Sequence, residues 1–133
     1  MTTQAPLTAP QRGEILASVY RALSEAAPEL FQGPQMVLRP GGPLELPARL
    51  DAMVEIVRRT TADRVEPYIA QMLDGICAHC PRQQTSGFCP LRYDKSCVLF
   101  RCAGPIVKAI GQALWEMDDP EYLANHPYHR GDQ

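Results

Sequence analysis

All five cysteines of this 133-residue chain fall within 26 consecutive positions, Cys77 to Cys102, and nothing else in it restricts the fold so sharply. The first four follow the spacing C-x2-C-x8-C-x7-C through Cys77, Cys80, Cys89 and Cys97, and four residues separate Cys97 from Cys102. Four thiolates converging on one point meet the needs of a tetrahedral zinc or an iron–sulfur cluster. A chain under that constraint wraps one segment around an inorganic centre and builds its apolar core from the rest.

Cys77-Ala78-His79-Cys80 is the most specific part of the pattern. Two intervening residues let both sulfurs address one ion while backbone N–H groups turn toward the thiolate charge. Cys89 and Cys97 complete the set, with Cys102 the next candidate for the fourth ligand. Pro81 follows Cys80, Pro90 follows Cys89, and Gly87 allows a close approach. Proline after a ligating cysteine removes a competing backbone donor, as in ferredoxin-type loops, although the full spacing matches neither the bacterial nor the plant ferredoxin pattern. Zinc ribbons supply two CxxC knuckles and only one is present, so the reading favours an iron–sulfur cluster, [4Fe–4S] in form, with Zn2+ as the alternative. His79, between two ligands, is expected to point away from the metal. A thioredoxin-like dithiol needs a βαβ setting that the helical pattern of this chain does not provide.

Charge agrees with a thiolate centre. Between Cys77 and Lys108 stand Arg82, Arg92, Lys95, Arg101 and Lys108, opposed by Asp94 alone, in a chain of formal net charge −2. Cations there would compensate the roughly −2 charge of a four-thiolate site, or meet an acidic partner. The odd cysteine count and the lack of a basic, then apolar N-terminal stretch argue against a secreted disulfide framework and lead to a cytoplasmic expectation. Over residues 77–102 the segment resembles the four-cysteine cluster segments of small bacterial redox accessory proteins.

The rest of the chain reads as a single, mainly α domain, a small bundle of about four helices with the cysteine-rich loop between the last two. Residues 1–9 form a leader and 10–76 the helical part. Thr8 and Gln11 make a capping box, and Ile15, Leu16, Val19, Tyr20 and Leu23 recur at helical spacing until Pro28. A Pro/Gly-rich loop spans 30–47, with Gln35-Met36-Val37-Leu38 as a short extended piece. Leu50, Met53, Val54 and Val57 mark a second helix that opens near Pro47 and either breaks at Thr60-Thr61-Ala62-Asp63 or continues to a kink near Pro67. Tyr68, Ile69, Met72 and Leu73 mark a third that ends at Gly75. Residues 77–102 are the metal-binding segment and 103–119 the C-terminal helix, with a face of Ile106, Val107, Ile110, Leu114 and Trp115. The tail, 120–133, is assigned at most one further turn, and its His126 and His129 are expected in solvent. The carboxylates Glu116, Asp118, Asp119 and Glu121 are read as a solvated patch, with a partner surface as the alternative.

No phosphate-binding Gly-rich loop, nucleophile elbow or paired catalytic carboxylates occur, so no enzyme activity is expected. The net charge gives no reason to expect nucleic acid, and no run approaches the roughly 18 apolar residues of a membrane span. The leading functional expectation is a small iron–sulfur protein, an electron carrier or an accessory subunit docked to a redox enzyme. The alternatives are a zinc-stapled interaction module without redox role and a cluster-based redox or oxygen sensor.

Overall fold

The computed structural model describes residues 7–33, 42–60, 64–76 and 97–126. Of these, 82% are helical and none forms a strand. Among the described residues six helices follow one another: α1 (Ala9–Ala26), α2 (Leu46–Arg59), α3 (Glu66–Gly75), α4 (Val98–Arg101), α5 (Ala103–Glu116) and α6 (Pro120–Asn125). Short 3-10 turns occupy Pro28–Phe31 and Pro43–Glu45. The mainly α architecture is as expected. The two helices beyond the expected four are α4 and α6, of 4 and 6 residues, too short for a period of 3.6 to register.

Helices α1, α2 and α3 begin where local chemistry supplies a start. The Thr8 hydroxyl accepts from Gln11 N–H at 3.2 Å while Thr8 N–H donates back to Gln11 Oε1 at 2.9 Å, which satisfies two orphan donors of α1. Pro47 and Pro67 stand in the first turns of α2 and α3, where a missing N–H costs nothing. Helix α1 stops before Pro28, with Ala27 N–H closing the last turn onto Leu23. The Tyr20 hydroxyl donates to the Pro43 carbonyl at 3.0 Å and so ties the second 3-10 turn to α1.

Apolar stripes decide how the helices meet. Ile15, Val19 and Leu23 of α1 are sealed from solvent, as are Ile106, Ile110 and Leu114 of α5, and these two helices share the most extensive packing in the fold. Helix α2 contributes Leu50, Met53, Val54 and Val57, and touches α3, α5 and α6. Burying a side chain of this size stabilises the fold by about 1.5–3 kcal/mol. On α3, Tyr68 and Met72 face inward. Leu73, expected on the same face, is 39% exposed, because a ten-residue helix held along one stripe has room for a single column of buried side chains. The expected extended piece, residues 35–38, lies outside the described residues.

Two glycines in helices face opposite situations. A methyl group at Gly13, in the middle of α1, would meet nothing within 4 Å. At Gly111 the same group would sit 3.2 Å from the Tyr122 hydroxyl, because α6 lays that ring on the bare backbone of α5. Gly13→Ala should therefore raise stability by about 1 kcal/mol through helix propensity. Gly111→Val should lower it by about 2 kcal/mol, since its methyls enter space that Tyr122 occupies. Urea unfolding of the two variants checks both signs.

Candidate metal centre and the corner beside it

Two of the five cysteines belong to the described residues. Cys97 leads into α4 in an extended conformation, and its carbonyl accepts from Phe100 and Arg101 N–H at 3.1 and 2.9 Å. Its side chain is half-buried. Cys102 closes α4, donating to Val98 at 2.9 Å, and opens α5, accepting from Ile106 at 3.0 Å. It is 5% exposed and belongs to the apolar core beside Val98, Leu99 and Ile106. Neither thiol makes a capping bond to the helix that follows it. Cys97 thus stands at the edge of the core and Cys102 within it.

Cys77, Cys80 and Cys89 lie outside the described residues, with His79, Arg82, Arg92 and Lys95. Among the described residues no group of three or more His, Cys, Asp or Glu side chains is placed to hold a metal ion. What the structure does supply is the pair of anchors that bound the cysteine segment. Ile76, 5% exposed, immediately precedes Cys77, and Val98 and Leu99, 2% and 4% exposed, immediately follow Cys97. All three belong to one hydrophobic core. Both ends of the 20 residues between Ile76 and Cys97 are therefore tethered to the same apolar body. In the sequence, Cys77 directly follows the first anchor and Cys97 directly precedes the second. Of the basic residues expected around the site, Arg101 forms an ion pair with Glu29 of the first 3-10 turn, and Lys108 is exposed.

A polar corner near the C-terminal end was not anticipated. The acidic run was read as a solvated patch, but Asp119 is 6% exposed and grips Arg58, itself 7% exposed. Arg58 Nε donates to Asp119 Oδ2 at 2.9 Å and Nη2 to Oδ1 at 2.6 Å, a bidentate pair across 61 residues. Asp119 Oδ2 also accepts from Tyr122 N–H at 3.0 Å, so the same carboxylate caps α6. Each charge sits at the favourable end of a helix, Arg58 in the last turn of α2 and Asp119 at the start of α6. Asp119-Pro120 carries a local signal for this start, an N-cap residue followed by proline in the first turn. Glu116 and Glu121 are also engaged, with Gln112 and Arg59 respectively.

Three side chains finish the C-terminal end of α2, whose last carbonyls have no partner within the helix. Asn125 Nδ2 donates to Arg58 O at 3.0 Å, His126 Nε2 lies 3.1 Å from Val57 O, and the Tyr68 hydroxyl donates to Thr60 O at 3.0 Å. His126, expected in solvent, stacks on Tyr122 with ring centroids 4.2 Å apart. His129 lies outside the described residues. Burial pushes the Tyr122 phenol up to about 12 from the ordinary 10.0, with a smaller push from neighbouring Tyr68, and burial raises Tyr20 as well.

Asp119→Ala should cost about 3–5 kcal/mol in urea unfolding, because it strands a buried guanidinium and removes the α6 cap together. Adding Arg58→Met should recover part of that loss, since no unpaired charge then stays buried. The Tyr122 contribution has the sign of a raised acid. It is complete below the unfolded value of 10.0 and is lost as pH climbs toward 12, because the unfolded chain releases its phenol proton first. Ultraviolet titration of the phenolates beside denaturant midpoints at each pH should show Tyr20 and Tyr122 titrating late, Tyr122 toward 12, with a stability loss as pH rises above 10.0.

No family model matches the chain, and no curated protein or solved structure proves similar to it.

Proposed function

We propose that this chain is a small iron–sulfur protein that carries single electrons or serves as an accessory subunit of a larger redox enzyme, with Cys77, Cys80, Cys89 and Cys97 as ligands of a [4Fe–4S] cluster. The observation that carries the reading is the gathering of every thiol into one segment whose two ends are rooted in a common core. Closing a free loop of that length costs chain entropy, and a shared metal centre within it returns binding energy as folding energy. Cys97 is favoured over Cys102 as fourth ligand because its side chain reaches the edge of the core, whereas Cys102 fills core volume as a small apolar residue.

When bound, such a cluster supplies reversible one-electron transfer at a potential set by its surroundings. The chain's own part is to bind and shield. Val98 and Leu99 keep hydrocarbon beside the ligand Cys97, which limits water there. Arg82, Arg92 and Lys95 offset the thiolate charge or recognise an acidic face of the partner. Arg101 was expected to share that task, but its ion pair with Glu29 turns it toward holding α4 on the first 3-10 turn. The exposed setting of that pair makes its contribution modest.

Structural zinc is the second reading, favoured by the same tethered loop, because a staple across it stabilises a small core without any redox chemistry. Anaerobic purification separates the two. Iron and acid-labile sulfide near four each per chain, with broad visible absorbance that dithionite bleaches, are expected for the cluster. Colourless protein with about one zinc per chain overturns it in favour of the staple. Within either reading Cys97→Ser should lose the metal while Cys102→Ser keeps it, and chelation should lower the unfolding midpoint of the parent chain. Metal retained by Cys97→Ser and lost by Cys102→Ser would reverse the ligand assignment.

A further inference from the structure

We propose that His126 is a charge-sensitive clasp: protonating its ring tightens the seat of α6 on the C-terminal end of α2, and losing that proton loosens it. The inference concerns the polar corner and stands apart from the metal reading.

The geometry defines which nitrogen does what. Val57 O can only accept, so the Nε2 atom 3.1 Å away carries hydrogen in the neutral ring as well as in the charged one. The titrating proton is then the one on Nδ1. The contact with Val57 keeps its donor in both states and becomes a charge-assisted bond when the ring is protonated. Val57 is three residues from the C-cap Thr60, so its carbonyl belongs to the negative end of the α2 dipole, where a cationic imidazole is stabilised within the last turn.

The ionised groups on the elements that meet at this corner are largely paired with one another. From α2 come Glu55, Arg58 and Arg59, and from the α5–α6 junction and α6 come Asp119 and Glu121. Arg58 is neutralised in place by Asp119, and Arg59 is shared between Glu55 and Glu121, so carboxylates outnumber guanidiniums at this corner. Tyr122 lies stacked against the imidazole, and Tyr68 lies near Tyr122; both phenols are neutral across the histidine range. A ring face against an imidazolium adds a further small attraction. Partial burial of the ring works against its charge, and the Val57 carbonyl, the negative end of α2 and the stacked phenol work for it and outweigh that cost.

A group favoured in its protonated form contributes in full below its unfolded value, about 6.5 for histidine, and its contribution is lost as pH rises through the folded value. What loosens is local. Helix α6 has six residues, too few to persist once its seat weakens, while the α1–α5 packing does not involve it.

The test uses the full chain. Proton NMR, with ring resonances assigned through bonds, should show His126 titrating above the ordinary value of about 6.5. Exchange protection of the Leu123 and His126 amides, which bond to the Asp119 and Tyr122 carbonyls, is then measured at about pH 8 and about pH 5.5. Corrected for intrinsic exchange, it should rise about two- to fivefold on acidification. In His126→Gln, whose amide can still donate to Val57 but carries no charge, that rise should vanish. A His126 value at or below the ordinary one overturns the proposal, and so does an equal pH response in parent and variant.

Discussion

Two charges taken out of water fix how α6 sits on α2. Arg58 and Asp119 lie 61 residues apart, both are almost wholly buried, and two short hydrogen bonds join them. Burying such a pair returns little net stability, because desolvation consumes most of the attraction. Its effect is on geometry. Only one placement of α6 against α2 leaves neither charge stranded, and that placement also brings Tyr122 over Gly111 and Asn125 and His126 onto the open carbonyls of α2. The end of one helix is capped by side chains of another, and the carboxylate that clamps them starts the second helix itself.

The cysteine segment enters this framework from the opposite end of the argument. Its boundaries, Ile76 and Val98, are core residues at the end of α3 and the start of α4. Helix α4 is a single turn that would not form alone. It exists because Val98 and Leu99 are drawn inward and Arg101 meets Glu29. The neighbouring Cys97 and Cys102 then differ in exposure although both flank the same turn. Backbone direction at the two ends of α4 separates them: one side chain is left at the core's edge and the other within it.

The long helices were legible because their determinants are local. Thr8 with Gln11, Pro47 and the apolar columns of α1, α2 and α5 act within one or two turns, so spacing alone exposes them, whereas Pro67 reads equally as a kink in a longer second helix. Leu73 shows the limit of that reading. It belongs to the helical column by period, yet nothing in the sequence tells how wide a stripe α3 buries. Helices α4 and α6 fall below the length at which a period is visible, and the acid run after Trp115 looked alike throughout although Asp119 alone is buried.

The division follows from the range of the forces involved. Sequence by itself determined that the chain is helical, where its long helices begin, which columns are apolar, and that its thiols share one short segment, since each depends on neighbours within a few bonds. Tertiary structure alone decided that Arg58 meets Asp119, that Tyr122 covers Gly111, that His126 finishes α2, and that Cys102 is core while Cys97 is at its edge. Each of these requires groups remote in the chain to leave water together, and a linear pattern carries no record of that shared burial.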